Sequence, residues 1–312
     1  MPVLSLKTGT KSRSLLVGNA FFVPTGNRGI INGGVANGAE SNNINYITMS
    51  TTGNSVVFGD LTSARTNNAS CASSTRGLDG GDGTGFSNII DYITILTTGN
   101  ATDFGDLTQA RGGLMALSSA TRGIWASGYT GSNVTTIDYV TIASAGNATS
   151  FGSMGTASRD GGAAASPTRG VIARGYTNNA TSAITYLTIA STGNDTTFGD
   201  LSVTRYSANG CSTSTRAIFN GGFTPASNVI DYITIASTGN ATDFGDLTVA
   251  RAYAACFSSS TRGFAAGGPS SSADTNVIDY VTIATTGNST DFGDLETIYS
   301  SASGTSDGHG GL

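Results

Sequence analysis

Pairs of aspartates three residues apart recur along the chain, and they are the residues best suited to acid–base chemistry. Examples are Asp103 with Asp106 and Asp243 with Asp246. Two carboxyl groups of this kind could serve as the general acid and the general base of a glycosidase. The pair recurs in successive copies of one repeated segment, however, and its second aspartate is missing where the sequence reads Phe-Gly-Ser at 151–153. This distribution is typical of a turn motif, so we predict no catalytic residue.

Residues for a catalytic triad or a metal site are scarce. His309 is the only histidine and has glycines on both sides, so a His-dependent triad or zinc site would have to be built there. The Asp-Gly-rich segment at 79–85 is similar to a calcium loop, but it lacks the full ligand series and occurs in one repeat. We therefore expect a turn at His309, a loop at 79–85, no cofactor, no metal and no enzyme activity.

Arginine occupies two positions in the repeat. One interpretation is a basic ring around a channel that binds an anion, and the other is pairing with aspartates of the same or the neighbouring repeat. Because Arg and Asp recur in step, and Arg suits bidentate carboxylate pairing, we favour the structural role. The first position holds Arg28, Arg76, Arg122, Arg169, Arg216 and Arg262, the second holds Arg65, Arg111, Arg159, Arg205 and Arg251, and the candidate partners are Asp91, Asp138, Asp231 and Asp279 or Asp106, Asp200, Asp246 and Asp294.

These residues belong to a repeat that covers most of the chain. A Thr-Arg-Gly-like marker begins at positions 27, 75, 121, 168, 215 and 261, which are 46 to 48 residues apart. Each marker precedes a short apolar stretch, a variable polar loop, a run like Ile-Asp-Tyr-Ile-Thr-Ile, a turn like Thr-Gly-Asn and a Phe-Gly-Asp-Leu segment. Apolar, aromatic and β-branched residues dominate the runs, and no helical period is present. We predict an all-β chain of six units.

Each unit contains four strand-like segments, which in the sixth unit lie at 252–258, 261–266, 277–285 and 290–295. A four-stranded sheet repeated around a ring is the plan of a β-propeller blade. The tail at 297–303 aligns with the first strand of the other units, which the first unit lacks, so we predict that the C-terminal strand completes the first blade. The predicted domains are an N-terminal arm at 1–24 and a six-bladed propeller of four antiparallel strands per blade at 25–312, with blades at 25–64 plus 296–312, 65–110, 111–158, 159–204, 205–250 and 251–295.

The bulk composition excludes some classes of protein. Of the 312 residues 11% are charged, and the net charge is −5, which argues against a nucleic-acid-binding surface. No apolar stretch reaches transmembrane length, so we expect no membrane insertion. Cys71, Cys211 and Cys256 recur at nearly the same place in their units, and we expect small buried side chains rather than disulfides.

The order of these features resembles the kelch repeat. An Arg, a small-residue strand, a Gly pair, a Tyr and a later aromatic follow one another in the six units. The aromatic is Phe, as at Phe58, where kelch repeats usually have Trp, and the Gly pair becomes Ser-Gly at 127–128 and Arg-Gly at 174–175. The resemblance implies a kelch-like propeller, and one function it suggests is a cytosolic kelch-type adaptor that binds a protein client.

The N-terminal segment resembles a leader of virion structural proteins of tailed bacteriophages, marine phages in particular. It reads Leu-Lys-Thr-Gly-Thr-Lys-Ser-Arg-Ser-Leu-Leu-Val-Gly-Asn at 6–19, and the repeats and the Asp-Gly-His-Gly-Gly-Leu segment at 307–312 are also similar to phage-borne propellers. The resemblance implies a non-enzymatic virion protein on the tail or capsid surface, assembled in the host cytoplasm. We expect the arm to bind other virion proteins through Lys7, Lys11, Arg13, Leu15, Leu16, Phe21 and Phe22.

The loops between the second and third strands of the units vary while the strands hardly change. Such loops gather on one face of a propeller, where Asn, Ser, Thr, Gly and Tyr suit contacts to a sugar or a protein; drift of loops that contact nothing is the alternative. A virion protein in multiple copies that meets a host-surface glycan or protein is our first hypothesis, followed by the kelch-type adaptor and by a lyase or glycosidase. The loops lie at 35–43, 82–89, 129–136, 176–183, 223–228 and 269–277.

Overall fold

The computed structural model describes residues 27–270 and 274–312, and every regular element in them is a β-strand. The strands form six antiparallel sheets, which are the blades of a propeller. The blades are, in order, β1 (Arg28–Asn32), β2 (Val35–Ala36), β3 (Ala39–Thr48) and β4 (Val56–Arg65) with β25 (Tyr299–Ser300) and β26 (Ser303–Ser306); β5 (Ala69–Ala72), β6 (Arg76–Gly80), β7 (Ile89–Thr94) and β8 (Thr102–Asp106); β9 (Met115–Ser118), β10 (Arg122–Ala126), β11 (Val134–Thr141) and β12 (Thr149–Ser158); β13 (Gly162–Ala165), β14 (Arg169–Ala173), β15 (Thr181–Thr188) and β16 (Thr196–Arg205); β17 (Asn209–Ser212), β18 (Arg216–Asn220), β19 (Val229–Thr234) and β20 (Thr242–Asp246); and β21 (Ala255–Ser258), β22 (Arg262–Ala266), β23 (Val277–Thr282) and β24 (Thr290–Asp294).

Within a blade the strands follow the chain from an inner strand to an outer strand. In the sixth blade Phe264 of the second strand pairs with Phe257 of the inner strand and with Tyr280 of the third strand. The second strands are buried on both sides because each blade is covered by its two neighbours, which accounts for their continuous apolar runs. In each blade the third-strand tyrosine meets the outer-strand phenylalanine edge to face, as Tyr92 meets Phe104 at 6.0 Å between ring centroids.

Six inner strands surround a narrow central channel, each in contact with the next: β5, β9, β13, β17, β21 and β26. Small residues permit this close approach. A Cβ added to Gly210 would lie 2.6 Å from the carbonyl oxygen of Ala163 in the neighbouring blade, so only glycine fits there. Cys71, Cys211 and Cys256 are buried free thiols of three of these inner strands, as expected from the sequence.

The two ends of the described chain meet in the first blade. β26 pairs antiparallel with β1, from Gly29 opposite Ser306 to Asn32 opposite Ser303. The predicted fold class, a six-bladed propeller closed by its C-terminal strand, is therefore confirmed. The predicted position of that strand is shifted, because 303–306 rather than 297–303 forms the inner strand. The preceding residues Tyr299 and Ser300 pair instead with β2, which extends the first sheet.

The propeller has two different faces. The loop face carries the loops between second and third strands and the connections from each outer strand to the next inner strand, which in the fifth blade are 221–228 and 206–208. The turn face carries the remaining turns, which in the same blade are 213–215 and 235–241. The described ranges contain no helix that could span a membrane.

Candidate functional site

The first-position arginines connect neighbouring blades on the turn face. Nη1 of Arg76 donates to the carbonyl oxygen of Ile142 in the next blade at 2.8 Å, and its guanidinium lies 4.5 Å from the ring centroid of Tyr92 in its own blade. Arg262 continues the pattern across the chain ends by donating to Met49 at 3.0 Å. The aspartate partners expected for these residues are replaced by a carbonyl oxygen and an aromatic face. The same two contacts are made by Arg28, Arg76, Arg122, Arg169, Arg216 and Arg262.

Four second-position arginines form buried ion pairs with third-strand aspartates. The N–O distances are 2.8 to 2.9 Å, and the side chains are at most 1% exposed. Burial lowers the pKa of the Arg111 guanidinium, and Asp138 opposes that shift. The charges of these four arginines are therefore neutralised inside the blades, and the arginines are not available to bind an anion in the channel. The pairs are Arg65 with Asp91, Arg111 with Asp138, Arg205 with Asp231 and Arg251 with Asp279.

The first aspartate of each recurring pair accepts a hydrogen bond from a backbone amide of the same strand. Asp103 Oδ1 accepts a hydrogen bond from the amide of Gly105 at 3.0 Å, and Asp243 does the same for Gly245 at 3.2 Å. The amide of Asp106 donates to Asn147 Oδ1 of the next blade, which places the Thr-Gly-Asn asparagines at blade contacts.

The C-terminal residues cover the turn-face end of the channel. His309 Nε2 lies 2.8 Å from the carbonyl oxygen of Ala72, and Gly311 packs against the carbonyl of Ser118. Burial lowers the pKa of His309, so its ring is neutral at physiological pH. In the Asp-Gly-rich loop the carboxylate of Asp82 accepts from the amides of Thr66 and Gly85, both at 3.0 Å. His309, the candidate for a triad or zinc site, and Asp82 of the calcium-loop-like segment therefore both contact backbone groups.

The residues that do not repeat converge on the loop face. Of the 11 tyrosines, six belong to the third strands and Tyr299 lies where the chain ends meet. The other four lie in loop-face segments of four consecutive blades and pack into a row with two phenylalanines, and we call this row the aromatic arc. Its members are Phe86, Tyr129, Tyr176, Tyr206, Phe223 and Tyr253.

The aromatic arc is continuous because an arginine bridges its one gap. Phe86 lies 5.9 Å from Tyr129 between centroids, and Tyr176 lies 5.6 Å from Tyr206. Between these two pairs the guanidinium of Arg159 is 4.2 Å from the Tyr129 ring and 5.1 Å from the Tyr176 ring. The arc therefore spans loops of five blades, from the second to the sixth, as one surface.

Arg159 does not occupy the buried position predicted for it. Counting from the outer-strand phenylalanine of each blade, the residue equivalent to Arg111 is Ser158, and Arg159 comes one residue later. The equivalent of the paired aspartate is Thr185. With no buried carboxylate to meet, the arginine lies on the loop face, where its Nε is 3.4 Å from Oδ2 of Asp160.

A closed ring of backbone hydrogen bonds surrounds the loop-face mouth of the channel. Six residues, one from each outer-to-inner connection, have φ between 49° and 64°, and the amide of each donates to the carbonyl of the previous one at 2.6 to 3.4 Å. The left-handed conformation is costly for residues other than glycine, asparagine or aspartate. The ring consists of Asn67, Gly113, Asp160, Ser207, Tyr253 and Ser301.

Asp160 links the ring to the aromatic arc. Burial raises the pKa of its carboxyl to about 6, and the neighbouring Arg159 only partly opposes this shift. Burial also raises the pKa of Tyr253 to about 12, and Asp160 adds to that shift. At neutral pH the mouth thus presents one carboxylate and protonated tyrosine hydroxyls.

The sequence predicts binding for no individual residue of this site. The variable loops are predicted only as a group, and the outer-to-inner connections are assigned to the regular repeat, although they supply Arg159, Asp160, Tyr206 and Tyr253. The first predicted loop, 35–43, is in fact mostly strand, because β2 and β3 form a hairpin there. A signal was available in the tyrosines that stand outside the repeat. The arm residues expected to bind, Lys7, Lys11, Arg13, Leu15, Leu16, Phe21 and Phe22, lie outside the described residues.

No protein-family model and no curated protein matches the chain in sequence.

Proposed function

We propose that this protein is a non-enzymatic recognition propeller of a tailed-phage particle, which binds a host-surface component through the aromatic arc. The observation that carries the proposal is that four of the five tyrosines outside the third strands lie in loop-face segments of four consecutive blades and belong to the aromatic arc. Tyrosine provides large, rigid contact area together with a hydroxyl group, and it is enriched where proteins bind other molecules.

Destabilising features beside the aromatic arc support a binding role. The fourth blade lacks the buried ion pair of its neighbours, and the hydroxyl of Thr185 is buried without a hydrogen-bond partner among the described residues. Tyr253 holds a left-handed backbone with φ of 50°, which is strained for an aromatic residue. Strain and unpaired polar groups that cluster beside a partly exposed aromatic surface indicate a site kept for function.

The virion setting rests on the leader at 6–19 and on the repeats that resemble phage-borne propellers. In this proposal the arm binds other virion proteins and leaves the loop face free. Deleting residues 2–20 should leave a folded propeller that no longer joins the particle. Circular dichroism of the purified variant checks the fold, and immunoblotting of purified particles checks incorporation. Normal incorporation of the truncated protein would overturn this part of the proposal.

The recognition role is tested on the full chain. Fluorescently labelled protein is incubated with host cells, and the bound fraction is compared with that of a variant carrying Tyr129→Ala, Tyr176→Ala and Tyr206→Ala. Truncating several contact aromatics at an interface typically weakens binding by more than about tenfold, and we expect at least that loss here.

The matched control removes exposed apolar side chains from outer strands and leaves the aromatic arc intact. It carries Val56→Ala, Val57→Ala and Val203→Ala, three residues that are each about half exposed. We expect this variant to bind as the unmodified chain does. Equal binding by the tyrosine variant and the control variant would contradict recognition through the arc.

A further inference from the structure

The mouth of the channel is a small polar hollow beside the aromatic arc. It is lined by the side chains of the hydrogen-bonded ring together with Asn68 and Asn209, and its volume is about 50 Å³. This volume admits a few water-sized groups but not a whole sugar or amino-acid side chain. A ligand bound there must lie across the mouth and insert one small polar group, such as a hydroxyl or hydroxymethyl group.

Asp160 supplies the carboxylate of the hollow, which has free hydrogen-bonding capacity, and Ser207 Oγ and Asn68 Oδ1 in the lining are buried without a hydrogen-bond partner among the described residues. The Asp160 side chain is 15% exposed, and its contact in the described part of the chain is the 3.4 Å approach of Arg159 Nε. Gly113, the ring member without a side chain, leaves room for it, because a Cβ there would lie 2.7 Å from Asp160 Oδ1. A carboxylate with open acceptor positions binds hydroxyl donors well.

The charge and the surroundings of the hollow favour a neutral ligand. Arg159 already balances the charge of Asp160, so a cationic side chain would gain little there. Tyr253 lines the hollow together with Asp160, and its ring centroid lies 6.3 Å from that of Tyr206, so aromatic surface borders the hollow. Hydroxyl acceptors next to aromatic faces suit a sugar, which has polar edges and apolar C–H faces.

We propose that this hollow and its bordering tyrosines bind a neutral sugar residue of a surface glycan. One sugar hydroxyl donates to Asp160, and the sugar ring lies against Tyr206. This inference rests on the proposed recognition function and specifies its ligand class.

The raised pKa of Asp160 adds a pH signature. The charged and titratable groups that face this carboxyl are Arg159, Tyr206 and Tyr253, and the pKa values of both tyrosines are raised, so the tyrosine hydroxyls stay protonated between about pH 5 and pH 7.5. An ionised carboxylate accepts a hydrogen bond from a sugar hydroxyl more strongly than a protonated carboxyl group does, and Asp160 takes up a proton as the pH falls through about 6. Affinity should therefore decrease from about pH 7.5 to about pH 5.

The experiment probes the full chain with an array of neutral hexose and N-acetylhexosamine oligosaccharides. Isothermal titration with the best-bound oligosaccharide then compares Asp160→Asn with the unmodified protein. Asparagine tolerates the left-handed backbone of this position, so the variant keeps the ring. We expect affinity about tenfold or more weaker and no remaining pH dependence. Asp243→Asn, which changes a carboxylate on an outer strand, is the matched control and should bind normally.

Host cells distinguish the possible failures. Periodate, which cleaves vicinal diols of sugars, should abolish binding to cells, whereas protease treatment should not. Binding that survives periodate but not protease, with Asp160→Asn unimpaired, overturns the sugar while the recognition function stands. Cell binding that is insensitive to the three tyrosine substitutions overturns both proposals.

Discussion

Two blades of this propeller lack the buried arginine–aspartate pair, and they replace it differently. In the first blade, where the chain ends meet, Tyr299 stands at the arginine position and Asn45 at the aspartate position. The hydroxyl oxygen of Tyr299 accepts from Nδ2 of Asn45 at 3.2 Å and from Nδ2 of Asn43 at 2.9 Å. The charged pair is thus exchanged for a neutral hydrogen-bonded set.

In the fourth blade the replacement is incomplete. Ser158 bonds to Ser127 at 3.0 Å between hydroxyl oxygens, but the hydroxyl of Thr185 is buried without a partner in the described ranges. The arginine has moved one residue along the chain to the aromatic arc. The replacement in the first blade preserves the closure of the ring. In the fourth blade a buried ion pair is lost and the aromatic arc gains an arginine.

The largest expected effect is at the closure itself. Deleting residues 296–312 removes β26, which pairs with β1 and contacts the inner strands on either side. The exposed strand edge should cause aggregation or loss of the cooperative thermal transition, measured by calorimetry and light scattering.

A shorter deletion serves as its control. Removing residues 310–312 leaves β26 in place and removes only part of the channel cover, so it should keep a cooperative transition. An unchanged melting profile after the longer deletion would show that the closing strand is dispensable.

The next effect concerns the ion pair, and it can be tested by copying the fourth blade into the sixth. Asp279→Thr alone leaves Arg251 buried without its carboxylate and should cost about 3–5 kcal/mol. Adding Arg251→Ser should recover a large part of that loss, because the double variant carries the Ser–Thr pair of the fourth blade. Urea unfolding of both single variants and the double variant measures the coupling, and simple additivity would contradict it.

The smallest effects separate the two replaced pairs directly. Tyr299→Phe removes the acceptor of two asparagine amides and should cost about 1–2 kcal/mol in the free energy of unfolding. Thr185→Val removes a hydroxyl that has no partner in the described chain, so we expect no loss or a small gain. Urea unfolding curves of the two variants provide the measurement. Equal losses in the free energy of unfolding would mean that the replaced pair of the first blade is no better hydrogen-bonded than that of the fourth.

The sequence was sufficient for the architecture because six copies report the same strands and turns. The partners of Arg76 and its equivalents were beyond it, since a carbonyl oxygen as acceptor has no side-chain signature. Residue type alone assigns Arg159 to the buried arginine position. Counting from Phe151, as from the outer-strand phenylalanine of the other blades, gives Ser158 at that position instead. The candidate site depends on long-range packing between loops of different blades, and a variable loop reveals none of that on its own.

The ring of amides at the channel mouth also restricts how the gene can change. Near-identical repeats recombine out of register, which adds or removes a whole unit. The circuit of six hydrogen bonds is closed, with each amide meeting the preceding carbonyl, so a chain with one unit more or fewer would have to form a ring of different diameter with different angles at each bond. The geometry of the mouth therefore depends on the number of repeats, and the shape of the surface around Asp160 depends on it too.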